Sequence, residues 1–241
     1  MHLIELDTVA STNIHAQSII AEMHPQCFVV TAKEQTKGKG QQGNVWHSEK
    51  AKNLLFSIAI YPHPIKADEQ FILNKITALA VKTFIDKHLN TESKIKWPND
   101  IYIANKKVAG ILIEHSVTGN QLKHTVIGIG INVNQKHFPE NVPNPVSMYN
   151  ISGIEYDLKV LLNSFVNIFF DLYNTLGTAH ASSTDKAYLN ALYNYNIKSN
   201  YLYKNKEIAA TIKDVDTYGR LILLLEDGQE IKCGNKEIVF L

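Results

Sequence analysis

Cysteine and net charge are both scarce in this chain, and each scarcity removes classes of function. Cysteine occurs only at positions 27 and 233 of 241 residues. That is neither a disulfide framework nor a thiolate metal site, and it suits a reducing compartment. Lysine and arginine total 24 against 23 acidic residues, a formal charge of +1. No broad field draws in nucleic acid or membrane, so any basic site must be local. The ten histidines show no metal-ligand spacing. There is no Gly-x-Ser-x-Gly, no His-Glu-x-x-His and no Walker lysine loop. Apolar runs such as Leu221–Leu225 fall far short of a membrane span. The opening Met-His-Leu-Ile-Glu-Leu-Asp lacks the basic region and apolar core of a secretory signal. The expectation is a soluble cytoplasmic protein without membrane or nucleic-acid contact. With no activated nucleophile and no protein-built metal site, its chemistry would rest on positioning and electrostatics, as in nucleotidyl transfer.

What is present begins at residues 38–46, Gly-Lys-Gly-Gln-Gln-Gly-Asn-Val-Trp. Glycines 38, 40 and 43 strip side chains from a loop that also carries Lys37 and Lys39, so backbone N–H groups can approach an anion. The spacing is that of a dinucleotide-binding turn, but residues 44–53 carry no apolar helical stripe to follow it. A phosphate-handling loop fits; a Rossmann domain does not. The second segment is Lys96-Trp-Pro-Asn-Asp100, followed after an Asn105-Lys106 turn by Lys107, Gly110, Ile111 and Leu112. Asn99 and Asp100 would sit at the mouth of a strand with Lys107 returning beside them; a plain turn with a solvated lysine pair fits the same residues. The third is Gly128-Ile-Gly-Ile-Asn-Val133. Glycines alternating with isoleucines clear one face of a strand, either for a ligand read by Asn132 or for a close approach by another element. Ser11-Thr12-Asn13 reads as a helix cap or as a polar cluster facing a ligand. His115 beside Glu114 reads as surface polarity or a cross-strand pair.

Periodicity places helices after residue 12, over 67–89, from 158 to 176 and from Thr184 to about Tyr195. Strands are expected at Phe28–Thr31, Leu54–Tyr61, Ile101–Ala104, Lys107–Glu114 and Thr125–Val133, with a Pro/Asn-rich loop over 134–150. Beyond Asn196 five short strands suggest a small β-barrel of about 45 residues. The division is therefore a large domain over 1–195 and a small one over 196–241.

These segments, in this order, resemble the biotin protein ligases. The family pattern Ser-Thr-Asn matches Ser11, Thr12 and Asn13. Gln-x-x-Gly-Arg-Gly-Arg-x-Gly-Arg-x-Trp aligns with the stretch from Gln35 to Trp46, Lys-Trp-Pro-Asn-Asp with 96–100, Lys-x-x-Gly-Ile-Leu with 107–112, and Gly-Ile-Asn with 130–132. The resemblance implies an α+β fold: a mixed sheet flanked by helices, like the class II aminoacyl-tRNA synthetase core, with a small C-terminal SH3-like β-barrel. It implies ATP-dependent activation of biotin as biotinyl-5′-AMP and transfer to a lysine of a biotin carboxyl carrier domain, with Mg²⁺ arriving with ATP. It also assigns residues. Ser11, Thr12, Asn13, Gln35, Gly38, Gly40 and Gly110 would hold biotin. Lys39, Gln41, Trp46, Asn99, Lys107 and Asn132 would hold ATP or the adenylate. Lys107, Asp100 and Lys39 would serve catalysis. Pairing of sheet edges would allow a homodimer.

The chain departs from the pattern where the family's arginines become Lys39, Gln41 and Asn44, with Gln42 at a further such position. Lysine supplies a point charge where arginine grips a phosphate bidentately, and glutamine supplies no charge. Only ten residues precede Ser11, which leads to the expectation of a short form without a winged-helix DNA-binding domain. Two other readings are a lipoate- or octanoate-type transferase and a biotin- or adenylate-binding protein without transfer activity.

Overall fold

In the computed structural model, which describes residues 2–62, 65–176 and 181–241, the chain builds two sheets. The first contains, in spatial order, β1 (His2–Val9), β2 (Phe28–Gln35), β3 (Leu54–Ile60), β7 (Gln121–Ile131), β6 (Lys106–Thr118), β5 (Asp100–Ile103) and β4 (Lys94–Lys96). Strands β1 and β2 run parallel, joined by α1 (Thr12–Met23); every other neighbouring pair is antiparallel. The mixed sheet flanked by helices is the expected α+β class. Among the described residues, no helix is long and apolar enough to cross a membrane.

Side chains alternate along a strand, so each strand serves two layers. Val29, Phe56, Ile58, Ile127 and Ile129 point into the larger core, which also takes residues of α2 (Phe71–Leu89) and α4 (Leu158–Tyr173). Phe165 of α4 lies edge-on to Phe56 at 5.1 Å and to Phe84 of α2 at 5.7 Å. Burying such a ring stabilises the fold by about 1.5–3 kcal/mol. Asp157 caps α4 by accepting from the backbone N–H groups of Lys159 and Val160. Phe28, Val30, Ala59 and Val126 point the other way, onto Ala16 and Ile20 of α1. Ser57, Gly110, Leu112, Glu114, Gly128 and Gly130 share that second face by parity, and the site forms there.

Three elements go beyond the sequence reading. Strand β1 had no clear signal, because its mixed sequence is half-exposed at a sheet edge. The loop over 134–150 holds the start of α3 (Met148–Ser152), capped reciprocally by Ser147 and Asn150. The third element is a correction. The strands β8 (Lys198–Tyr203), β9 (Lys206–Val215), β10 (Leu221–Leu225), β11 (Glu230–Cys233) and β12 (Ile238–Phe240) form an antiparallel sheet in the order β11-β10-β9-β8-β12. It is open, not a closed barrel, with β11 and β12 at opposite edges. The short β12 meets the first sheet instead: the Lys96 ammonium lies 5.4 Å from the Phe240 ring centre. Nearby, the Trp97 indole N–H donates to the Gly219 carbonyl at 3.0 Å. Gly219, at φ +83°, packs so closely on the Phe71 ring that a Cβ there would collide with it.

Candidate active site

Helix α1 begins over the middle of the sheet, on its glycine-bearing face. Ser11 holds the N-cap position, yet its side chain makes no capping bond; it is buried and lines a cleft. The backbone N–H of Thr12 donates to Gln35 Oε1 at 2.8 Å, with the Thr12 hydroxyl 3.2 Å from the same oxygen. Ser57 of β3 lies 2.7 Å from Thr12 Oγ1 and donates to Asn13 Oδ1 at 2.6 Å. Asn13 Nδ2 donates to Glu114 Oε2 at 2.7 Å and to the Leu112 carbonyl at 3.3 Å. Ser11-Thr12-Asn13 is therefore a polar cluster at a cleft rather than a side-chain cap. Ser57 and Glu114 belong to that cluster without having been singled out. Ser57 lies inside an apolar run, and Glu114 enters the sequence reading only as the neighbour of His115, which does form a cross-strand pair, with Thr125.

The glycine loop folds back on itself beside this cluster. Trp46 N–H donates to the Gly38 carbonyl at 3.0 Å, Gly40 N–H to Asn44 O at 2.7 Å, and Lys39 bridges Val45. A 3₁₀ turn over Gln41–Gly43 closes it, with Gly43 at φ +88°. Gly38 has to lack a side chain, because a Cβ there would come within 2.6 Å of the Trp46 carbonyl. Gly110 and Gly130 are paired across β6 and β7. The Trp46 indole lies on both: a Cβ on Gly130 would sit 2.5 Å from its ring, and one on Gly110 3.0 Å away. Gly128 likewise makes room for Asn13. The alternating glycines thus seat two of the protein's own side chains, which in turn wall the cleft. The Trp46 indole nitrogen is buried without a hydrogen-bond partner.

Lys107 and Asp100 meet as the hairpin spacing required, Nζ to Oδ1 at 2.7 Å. The Lys107 ammonium is 5.6 Å from the Trp46 ring centre. Its backbone is fixed on both sides, donating to Asn144 O at 2.7 Å and accepting from Val146 N–H at 2.9 Å. Asn132 is buried at the end of β7 and donates to Val146 O at 3.1 Å, leaving its own Oδ1 without a partner. Asn99 donates to Ile111 O at 2.8 Å. Burial lowers the pKa of neighbouring Lys96; Asp100 opposes that shift and Lys107 adds to it.

Two cavities share the Trp46–Lys107 wall. The first is a narrow polar cleft of about 50 Å³ ending at Thr12 and Gln35, with Lys39, Gly40, Gln41, Asn99 and Gly110 along it. The second, about 430 Å³, is lined by Asn132 and by Phe138, Val142, Pro143 and Pro145 of the loop before α3. The residues proposed from sequence are thus brought together, Lys39 from the exposed rim. The apolar wall from the 138–145 stretch was missed, since that loop carries no periodic signal. Among the described residues, no three His, Cys, Asp or Glu side chains converge to hold a metal on their own.

A model of the biotin/lipoate A/B protein ligase family matches residues 6–132, more than half of the chain. The chain belongs to that family. It is 35% identical over 160 residues to the Bacillus spizizenii bifunctional ligase/repressor BirA, covering 65% of this chain and 49% of that protein. It is 31% identical over 127 residues to the biotin–[acetyl-CoA-carboxylase] ligase of Paracoccus denitrificans, covering 51% of each. The chain therefore spans about half the length of these relatives. The biotin protein ligase from Aquifex aeolicus, in complex with biotin and ATP, superposes with a TM-score of 0.81 at 24% identity, over 99% of this chain and 97% of that one. At that identity the likeness carries the fold.

Proposed function

We propose that this family member is an ATP-dependent biotin ligase that forms biotinyl-5′-AMP and passes the biotinyl group to a lysine of a carboxylase carrier domain. The observation that carries the reading is Lys107 standing in the wall common to a polar cleft and a larger, apolar-sided cavity. A bicyclic urea suits the Thr12–Gln35 end, where hydrogen-bonding groups are already fixed. An adenine suits the second cavity. The unpaired, buried Asn132 Oδ1 can accept from an exocyclic amine, and Trp46 and the proline-rich wall offer apolar faces.

A carboxylate does not acylate an amine at neutral pH, because its leaving group is too poor. Attack of the biotin carboxylate on the α-phosphorus of ATP expels pyrophosphate and gives a mixed anhydride. The carrier lysine's amine then attacks the acyl carbon and AMP leaves. Negative charge grows on the α-phosphoryl oxygens in both steps, where the Lys107 ammonium can stabilise it and Asp100 keeps that ammonium aimed. A Mg²⁺ ion carried in with the nucleotide would be held mainly by the phosphates, with the Asp100 carboxylate as its protein partner, and would supply further charge neutralisation there. Trp46 on its glycine floor keeps water from the junction. We assign this activity to the cytoplasm, where ATP and carrier proteins meet.

Lipoate and octanoate offer no donor or acceptor to the Thr12–Gln35 end. The test is pyrophosphate release from ATP and Mg²⁺ without carrier, comparing biotin, lipoate and octanoate. Release with biotin alone is expected; release with lipoate instead, or with no acid, overturns the reading.

A further inference from the structure

Beside Lys107 and Asp100 stands a third charge, Lys96, that the biotin reading leaves without a task. We infer that Lys96 receives the β- and γ-phosphates of ATP, so that pyrophosphate departs over the β4–β5 hairpin. The inference rests on the biotin reading and deepens it.

Strand register puts Lys96 in line with the reacting centre. Ile95 and Ile101 pair across β4 and β5 and are buried in the larger core. Their neighbours Lys96 and Asp100, also paired, therefore turn to the opposite face. Asp100 in turn pairs with Gly110 of β6, which lines the polar cleft. The charges thus run outward from Lys107 on β6 through Asp100 on β5 to Lys96 on β4, beyond the two cavities.

The Lys96 ammonium is held on aromatic faces, 4.8 Å from the Tyr102 ring centre and 5.4 Å from that of Phe240 on β12. Asp100 Oδ1 is taken by Lys107 at 2.7 Å, and among the described residues Lys96 forms no ion pair of its own. Burial lowers its pKa, Asp100 offsets that only in part, and Lys107 adds to it. A half-buried cation in this state gains from an arriving anion.

The kind of anion follows from sheet order. An acid with its head at Thr12 and Gln35 reaches Lys107 across β3 and β7: Thr12 is bonded to Ser57 of β3, and Gly128 and Gly130 of β7 line the same cleft. Adenosine has its own side, the cavity bounded by Asn132 and the 138–145 stretch. Attacking and leaving oxygens lie roughly in line in phosphoryl transfer. A carboxylate that meets the α-phosphorus from the β7 side therefore expels pyrophosphate toward β5 and β4. As the new O–P bond forms, the bond to the bridging oxygen breaks and that oxygen keeps the electron pair. The charge it gains lies toward Lys96. Strands β6 and β4 are two spacings apart, about 10 Å, a gap that two lysine side chains and a diphosphate bridge together.

The experiment is biotin-dependent exchange of labelled pyrophosphate into ATP by the full chain, with AMP as a competing ligand. AMP has the adenosine and α-phosphate of ATP but lacks the part assigned to Lys96. Lys96→Met is expected to raise the half-saturating concentrations of ATP and pyrophosphate about tenfold, the scale of one charge-assisted contact. AMP inhibition and biotin affinity should stay within about twofold of the wild type. Lys96→Arg, which keeps the charge, should recover most of the loss, and Lys96→Gln carries the same comparison if Lys96→Met does not fold. Unchanged pyrophosphate saturation, or an equal loss for AMP, overturns the assignment and leaves the biotin reading standing. A wild type that exchanges no pyrophosphate with biotin removes both.

Discussion

The side-chain amide of Asn13 stands where residue 128 would begin a side chain, so Gly128 and Asn13 are one structural unit. A Cβ at 128 would collide with Asn13 Oδ1 and lie 2.8 Å from its Cγ. Asn13 cannot yield cheaply, because Ser57, Glu114 and the Leu112 carbonyl all hold its amide. Gly128→Ala should therefore destabilise the fold by about 1–3 kcal/mol through overpacking. It should also weaken biotin binding by about tenfold or more by breaking the polar end of the cleft. Urea unfolding and calorimetric titration would measure the two effects. A variant with unchanged midpoint and affinity would show that Asn13 is not held as described.

Lys107 invites a separate test because its partners divide its roles. Its ammonium pairs with Asp100 and faces Trp46, whereas Thr12 and Gln35 are held by each other and by Ser57. Lys107→Ala should slow adenylate formation by about 10²–10³-fold, the scale of losing one preorganised charge partner in a transition state. Biotin affinity should change only a few-fold. Pyrophosphate release and titration on the same sample separate the outcomes, and near-normal turnover would take Lys107 out of the mechanism.

Much of this site is legible in the sequence, because strand parity is a local property. The Gly-Ile alternation over 128–131 announces a cleared face, and the Asn105-Lys106 turn announces that Lys107 returns to Asp100. What clears the face for whom is not local. Gly128 and Gly130 make room for Asn13 and Trp46, which arrive from far along the chain. The Asn13–Glu114 bond spans 101 residues and the Asn13–Ser57 bond 44, so no spacing rule joins them. Ser57 was invisible for a further reason: a lone serine in Leu-Leu-Phe-Ser-Ile-Ala-Ile counts as one mismatch in an apolar strand. Five C-terminal strands were readable from their turns, but barrel closure depends on pairing two edges, and β12 meets Lys96 instead.

Gln41 offers a prediction about retention of the adenylate. It sits in the 3₁₀ turn of the glycine loop, where its Oε1 accepts from Asn235 Nδ2 of the turn between β11 and β12 at 2.6 Å. A glutamine there holds the loop through an exposed neutral contact and brings no charge to a phosphate. Arginine would add a bidentate, charged grip. Gln41→Arg is therefore expected to slow release of biotinyl-AMP several-fold. The release half-life, followed by trapping free adenylate, is the measurement. An unchanged half-life would mean that retention is governed elsewhere, by Trp46 or Lys39.

The pH dependence of stability should be set by partly buried histidines that fold in the neutral form. His115 lies beside Glu114 on β6, its Nδ1 3.0 Å from the hydroxyl of fully buried Thr125, and burial pushes its pKa below 6.5. Burial lowers His124 and His88 in the same sense, with Lys123 and Lys87 adding to the shift. A depressed pKa means that the unfolded chain binds these protons first. Stability is then complete above the unfolded value of 6.5 and is lost as pH falls from there through the folded values. The lowered carboxylates act in a different window. Asp7, held at about 2 by Lys50 and Lys33, loses its contribution only as pH falls below its unfolded 3.8. Urea midpoints at about pH 7.5 and about pH 5.5 therefore isolate the histidines. The midpoint should drop on acidification in the wild type and drop less in His115→Gln, which keeps a hydrogen-bonding partner for Thr125 but takes up no proton. A wild-type midpoint that rises on acidification would reverse the sign and require His115 to be charged in the folded protein.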